Sequence, residues 1–188
     1  MGRSGLNSLM MQMLEESAGG QSAAERSAAF RDLAASSGSW ASKSGNIVSL
    51  RCHKKVFSSA LALLSNSLTA PDFSESDWSR VKQAHIDAIK QNRESERSVA
   101  AMTADALFYG PNHPLSQPTS GTPTSAKAVE LQHVKALFSE AIRPKGATLI
   151  IAGDIDMSTL TSELNQHLAN WKGGDVTRVQ PPGATVIK

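Results

Sequence analysis

Helical spacing outweighs strand spacing throughout this chain, and that imbalance limits the architectures open to it. Leu6, Leu9, Met10, Met13 and Leu14 recur at helical intervals over Leu6–Glu16. Gly19-Gly20 stop that stretch, and Ser22 with Glu25 three residues on makes a capping-box pattern. It opens a second helix running through Phe30 and Leu33 to about Ser36. Two strand-like runs follow, Ser39–Lys43 and Ile47–Cys52, flanking the hairpin-type connection Ser44-Gly45-Asn46. In the second run Val48, Leu50 and Cys52 face one way, and Ile47, Ser49 and Arg51 the other.

The rest is again mostly helical. Val56, Leu61, Leu64 and Leu68 form the buried stripe of a helix over about Lys55–Ser67, and Pro71 ends that region. Ser74 caps a long helix with Glu75 and Asp77 in its first turn and Trp78, Val81, Ile86 and Ile89 facing inward. A break near Glu94 precedes a helix over about Ser98–Phe108. Tyr109–Thr122 is rich in Gly, Pro, Ser and Thr and reads as a loop. Further helices are predicted over about Ala126–Ile142 and from a Ser158 cap to about Trp171. Between them, Ala147–Ala152 reads as a central strand buried on both faces, ending at Gly153-Asp154. Lys172-Gly173-Gly174 begin a linker, and Ala184–Ile187 read as the start of another strand.

This order predicts an α+β two-layer domain, a mixed or mostly antiparallel sheet covered by helices, over residues 1–172, with 173–188 as a linker toward a following half-domain. The strands are few for so many helices, so either a fragment or a sheet completed by a partner is expected. At 188 residues and 40% hydrophobic, the chain can bury a core. Its +2 net charge is scattered, which leaves no footprint for nucleic acid or an anionic membrane. No apolar run reaches the roughly 20 residues that span a bilayer. Met1–Gly5 lacks the apolar stretch of a signal peptide, and a lone cysteine suits periplasm or cytoplasm alike.

A series of short motifs carries a resemblance. Phe73–Trp78, Leu107–Pro114, Gly121-Thr122, Val134–Phe138, Arg143-Pro144, Leu149–Asp154 and Trp171 follow one another in the order and approximate spacing of the pitrilysin/insulinase-type peptidases. The resemblance covers about Gly5 to Trp171 and implies the mitochondrial processing peptidase-like metallohydrolase fold. In that family the half-domain begins with strands ahead of the motif helix, which this sequence lacks. Active members carry H-x-x-E-H on the first helix, where two imidazoles one turn apart bind zinc and the Glu is the general base. On the matching stretch Gly5–Leu14, Ser8 and Gln12 stand at the two His positions and Met11 at the Glu. The family's distal Glu ligand would fall near Asp87 or Ala88. Met11 cannot accept a proton, and a hydroxyl and an amide are poor zinc ligands beside imidazole.

Other candidates read more plainly. His53, His85, His113, His133 and His167 contain no i, i+4 pair, and His85 and Asp87 diverge around a helix. His113 matches the family's loop histidine before proline and is expected to brace the loop with a hydrogen bond. Asp154 is expected to cap the strand end, Met10, Met11 and Met13 to pack, and Cys52 to be an inert buried thiol. By resemblance, the chain is a non-catalytic unit that closes a peptidase chamber and helps bind peptide. Its partner is a catalytic half-domain or subunit that holds the zinc, and this chain holds no cofactor. The alternative is a structural or assembly module of the same fold. A homo-oligomer stays open on sequence grounds.

Overall fold

The computed structural model describes residues 4–110 and 113–175. The predicted strand at Ala184–Ile187 and most of the predicted linker lie outside the described residues. Helices α1 (Leu6–Met13), α2 (Ala23–Asp32), α3 (Phe57–Thr69), α4 (Glu75–Glu94), α5 (Glu96–Tyr109), α6 (Pro123–Lys127), α7 (Leu131–Ala141) and α8 (Met157–Leu168) accompany a hairpin of β1 (Ser36–Ala41) and β2 (Asn46–Arg51). Among them, no helix is long and apolar enough to cross a membrane. The hairpin is antiparallel and pairs Ala41 with Asn46, Ser39 with Val48 and Ser37 with Leu50.

Helix α1 is the centre of the packing. Leu9, Met10, Met11, Met13 and Leu14 are buried against Phe73, Trp78 and Val81 around the start of α4 and Val129, Leu131 and Val134 beside and within α7. Ala41 and Val48 of the hairpin close the cluster from another side. The hairpin is therefore one layer and the helices the other, with Ile47, Ser49 and Arg51 left outward as the alternation predicts. Full burial of such side chains stabilises by roughly 1.5–3 kcal/mol each. The three methionines are packing residues.

Several element ends differ from the sequence reading, each for a local reason. Helix α2 stops at Asp32 instead of reaching Ser36. Ala34 adopts φ 48°, so the Ala35 N–H reaches Phe30 O at 2.9 Å and the Ala34 N–H reaches Arg31 O at 2.8 Å. That is a Schellman termination with alanine where glycine is usual. The stretch predicted as one helix over Ala126–Ile142 divides into α6 and α7, because Val129 is buried in the core and Glu130 turns extended to cap α7. Asp156, not Ser158, caps α8 by accepting from the Thr159 N–H.

The largest departure concerns Ala147–Ala152. It follows a 3-10 turn at Pro144–Gly146 and enters no ladder among the described residues. Leu149 is 60% exposed and Ile150 87% exposed, so this run is not the buried central strand its composition predicts. A strand requires a neighbour to take its N–H and C=O groups, and β1 and β2 pair here with each other.

Phe73 also takes a left-handed backbone, φ 46°, just before the Ser74 cap of α4. Its ring is buried edge-on against Phe138 at 5.2 Å between centroids, which offsets a strain of about 1–3 kcal/mol. At Ala34 no such burial compensates, since the residue is exposed. Ala34→Gly is therefore expected to raise stability by about 0.5–1 kcal/mol. An unchanged or lower urea unfolding midpoint would show that the α2 terminus carries no strain.

Candidate functional site

The polar groups of α1 define the site, because that helix carries only three strongly polar side chains, Asn7, Ser8 and Gln12, and no charged one. Each meets a partner. Asn7 Nδ2 donates to Asn46 Oδ1 at 2.7 Å, which ties α1 to the start of β2. Gln12 Nε2 lies 3.5 Å from Ser8 Oγ, a long contact one turn back, and 2.8 Å from His85 Nδ1 on α4. Met11, where the resemblance places the general base, is fully buried in the core. Its carbonyl accepts from the Ser39 hydroxyl of β1.

His85 links this group to a further segment. Its Nε2 lies 2.9 Å from the Ser120 carbonyl oxygen, which can only accept. The ring therefore carries its proton on Nε2, and neutral Nδ1 accepts from Gln12. Burial pulls the His85 pKa down from its ordinary value, against an opposing pull from the Ser120 bond. No carboxylate stands by to hold a protonated ring. Helix α1 and the Pro118–Gly121 turn contain no titratable side chain, and α6 supplies only Lys127. On α4 itself Lys82, one turn earlier, spends its ammonium on the carbonyls of Lys127 and Val129.

His85 thus meets α1 from α4, whereas Asp87 and Ala88, near which the resemblance places the family's distal Glu, are both exposed. Two residues along a helix rotate the side chain by roughly 200°. Asp87 accordingly points outward, where hydrogen bonds from Gln83 and then Lys90 hold its carboxyl below the usual range. The donors that converge are a hydroxyl, an amide and one imidazole engaged at both nitrogens, with no carboxylate among them. That set does not fit a zinc ion, which takes three or four thiolate, imidazole or carboxylate ligands.

The other histidines mostly serve their own backbone. Nδ1 of His53 accepts from the Lys55 N–H, that of His113 from Leu115 and that of His133 from Glu130. His113 is buried and stacks on Tyr109 at 5.4 Å, the loop-bracing role expected of it. Asp154 does not cap the preceding segment; its exposed carboxylate meets Lys54 Nζ at 3.0 Å. Burial pushes the half-buried Cys52 thiol up, against reactivity.

One grouping went unread in the sequence, although Glu163 and His167 lie one helical turn apart. Ser58, Glu163 and His167 meet where α8 packs on α3, beside a groove of about 820 Å³ lined by polar groups such as Asp32, Asn66 and Gln166. Ser58 Oγ and Glu163 Oε2 both address His167 Nε2, at 3.0 and 3.3 Å. A nucleophile relay needs the acid on the opposite ring nitrogen, so this grouping is a helix–helix tie.

Comparison with known proteins finds relatives through structure alone, for no family model and no curated protein matches the sequence. The peptidase M16 inactive domain from Pseudomonas fluorescens superimposes with a TM-score of 0.85 at 23% identity, over 94% of this chain and 44% of that one. A protease from Helicobacter pylori gives 0.83 at 16% identity, over 98% and 44%. A conserved protein from Enterococcus faecalis V583 gives 0.71 at 14%, over 93% and 45%. This chain has the fold of a peptidase M16 inactive domain. The M16-type fold is the α+β arrangement that the pitrilysin/insulinase resemblance implies. The chain spans less than half the length of these solved chains.

Because the folded state disfavours protonated His85, stability should fall as pH drops through about 6.5, where the unfolded ring titrates, and level off below the folded pKa. The slope can reach at most about 1.4 kcal/mol per pH unit. Asp77 titrates lower. Burial raises its carboxyl, but bonds from Ser17, Ser74 and Arg80 outweigh this and hold it below 3.8, so its contribution is lost only under stronger acid. Urea midpoints of wild type and His85→Gln between pH 7.5 and 5 should diverge. Parallel curves would show that His85 titrates normally.

Proposed function

We propose that this chain is a non-catalytic unit of a pitrilysin/insulinase-like zinc metallopeptidase, which closes the chamber and helps bind peptide for a catalytic partner unit. The observation that carries this reading is the state of α1. The helix stands in an M16-type fold, yet positions 8, 11 and 12 are filled by Ser, Met and Gln that pack and hydrogen-bond instead of serving a metal. Zinc chemistry then belongs to the partner, which would supply a metal-activated water at an intact H-x-x-E-H helix. The Pseudomonas relative, itself a peptidase M16 inactive domain, supports the same assignment. So does the length of the solved chains, about twice that matched here.

A sheet edge suits the peptide-binding role. In the described residues β1 and β2 pair only with each other, so each keeps an outer row of N–H and C=O groups. An extended peptide can add there through main-chain bonds with little demand on its sequence. A structural or assembly module of the same fold is the competing reading. It shares the silent α1 and differs in leaving the partner's peptidase rate untouched.

Co-expression with a neighbouring H-x-x-E-H unit distinguishes the two. The complex is expected to hydrolyse an unfolded peptide at least about tenfold faster than the catalytic unit alone, or about 1.4 kcal/mol of barrier. A stable complex whose rate is unchanged by deleting this unit would leave only the assembly role.

A further inference from the structure

The Pro118–Gly121 turn lies directly on the start of α1, backbone against backbone. Gly5 and Gly121 both have positive φ, 94° and 75°. A Cβ on Gly5 would sit 2.4 Å from Ser120 O, and one on Gly121 would sit 2.3 Å from Ser4 O. Neither position tolerates a side chain, so the approach is built into the sequence. Close backbone approach leaves little side-chain surface to hold the two segments together. The turn's own bond, Gly121 N–H to Pro118 O at 2.9 Å, closes it on itself and ties it to nothing else.

We infer that His85 is a positioning residue that docks this turn onto the start of α1 and so fixes the face the domain presents at its former motif site. Its Nε2–H reaches the Ser120 carbonyl from α4, on the rigid core side, while Gln12 of α1 holds Nδ1. One ring therefore joins three segments far apart in sequence: α1, α4 and the turn. The ring is 4% exposed, so both bonds are shielded from competing water. At its other end the same loop is held by Lys43 Nζ, which donates to Leu115 O and pairs with Asp105 of α5. Release at His85 would remove the turn's tie to α4 and Gln12 while leaving that second anchor intact. The inference does not depend on any peptidase role.

The requirement on position 85 is an N–H donor and an acceptor at the spacing of the two ring nitrogens. A glutamine side chain meets it: its amide N–H can donate to Ser120 O and its carbonyl can accept from Gln12 Nε2. Leucine has similar bulk and offers neither. Hydrogen exchange on the full chain, read residue by residue for wild type, His85→Leu and His85→Gln, tests the inference. In His85→Leu the amides of Leu9, Gly121 and Thr122 should exchange at least about tenfold faster, with α2 and α3 unchanged, while His85→Gln keeps wild-type protection. The inference is overturned if His85→Leu protects those amides as wild type does, or if both variants lose protection alike. Should His85→Leu unfold throughout, His85→Gln decides: native protection supports the docking role, and its loss removes it.

Discussion

Burial of α1 is the constraint on which the rest of this structure depends. The helix is only eight residues long and would not persist alone in water. It holds because the hairpin, α4 and α7 enclose it on several sides, with Leu9, Met10 and Met11 fully buried. Enclosure leaves Asn7 and Gln12 only partly exposed, and both are expected to find protein partners. They do so in Asn46 and His85. The same demand explains why the helix has no charged side chain: a charge there would be desolvated without a counter-ion.

A second consequence follows for chemistry. A metal site on such a helix needs ligands that are anionic or imidazole and a position open to water. Ser8, Met11 and Gln12 provide a hydroxyl, a packed thioether and an amide, and the imidazole that meets Gln12 is itself bonded to the Ser120 carbonyl. Of these three only Met11 is buried in the core, while Ser8 and Gln12 stay partly exposed. Elsewhere, polar residues are again spent on architecture. Arg26 lies buried between α2 and α3, donating to Leu63 O and to the Ser67 hydroxyl, and burial pushes its guanidinium down against the pull of Glu15 and Asp72.

Much of this was legible residue by residue. The Ser22–Glu25 capping box, the Ser74 cap, the inward stripe of Trp78, Val81, Ile86 and Ile89, and the hairpin alternation all appear as the pattern predicts. These features are local, set by bonds within one turn or by alternation along one strand. The misreadings share a different origin. Ala34 ends α2 without the glycine that would have announced it, and Val129 breaks a helix pattern because the core takes its side chain. Leu149–Ile151 carry every mark of a central strand, yet pairing is a property of two segments and cannot be read from one.

The sequence by itself determined the class of the fold and the absence of zinc-ligating and proton-accepting side chains on α1, because residue identity alone decides whether a side chain can ligate or take a proton. Tertiary structure decided which α4 residue faces that helix. Asp87 and His85 are two residues apart, and only the rotation of α4 in the packed domain turns His85 toward Gln12 and Asp87 toward solvent. It also brought the Ser120 turn against the start of α1, a backbone crossing between segments far apart in the sequence, with His85 bonded to the Ser120 carbonyl. Contacts of that kind depend on how helices dock, and the energy that docks them is spread over the whole core.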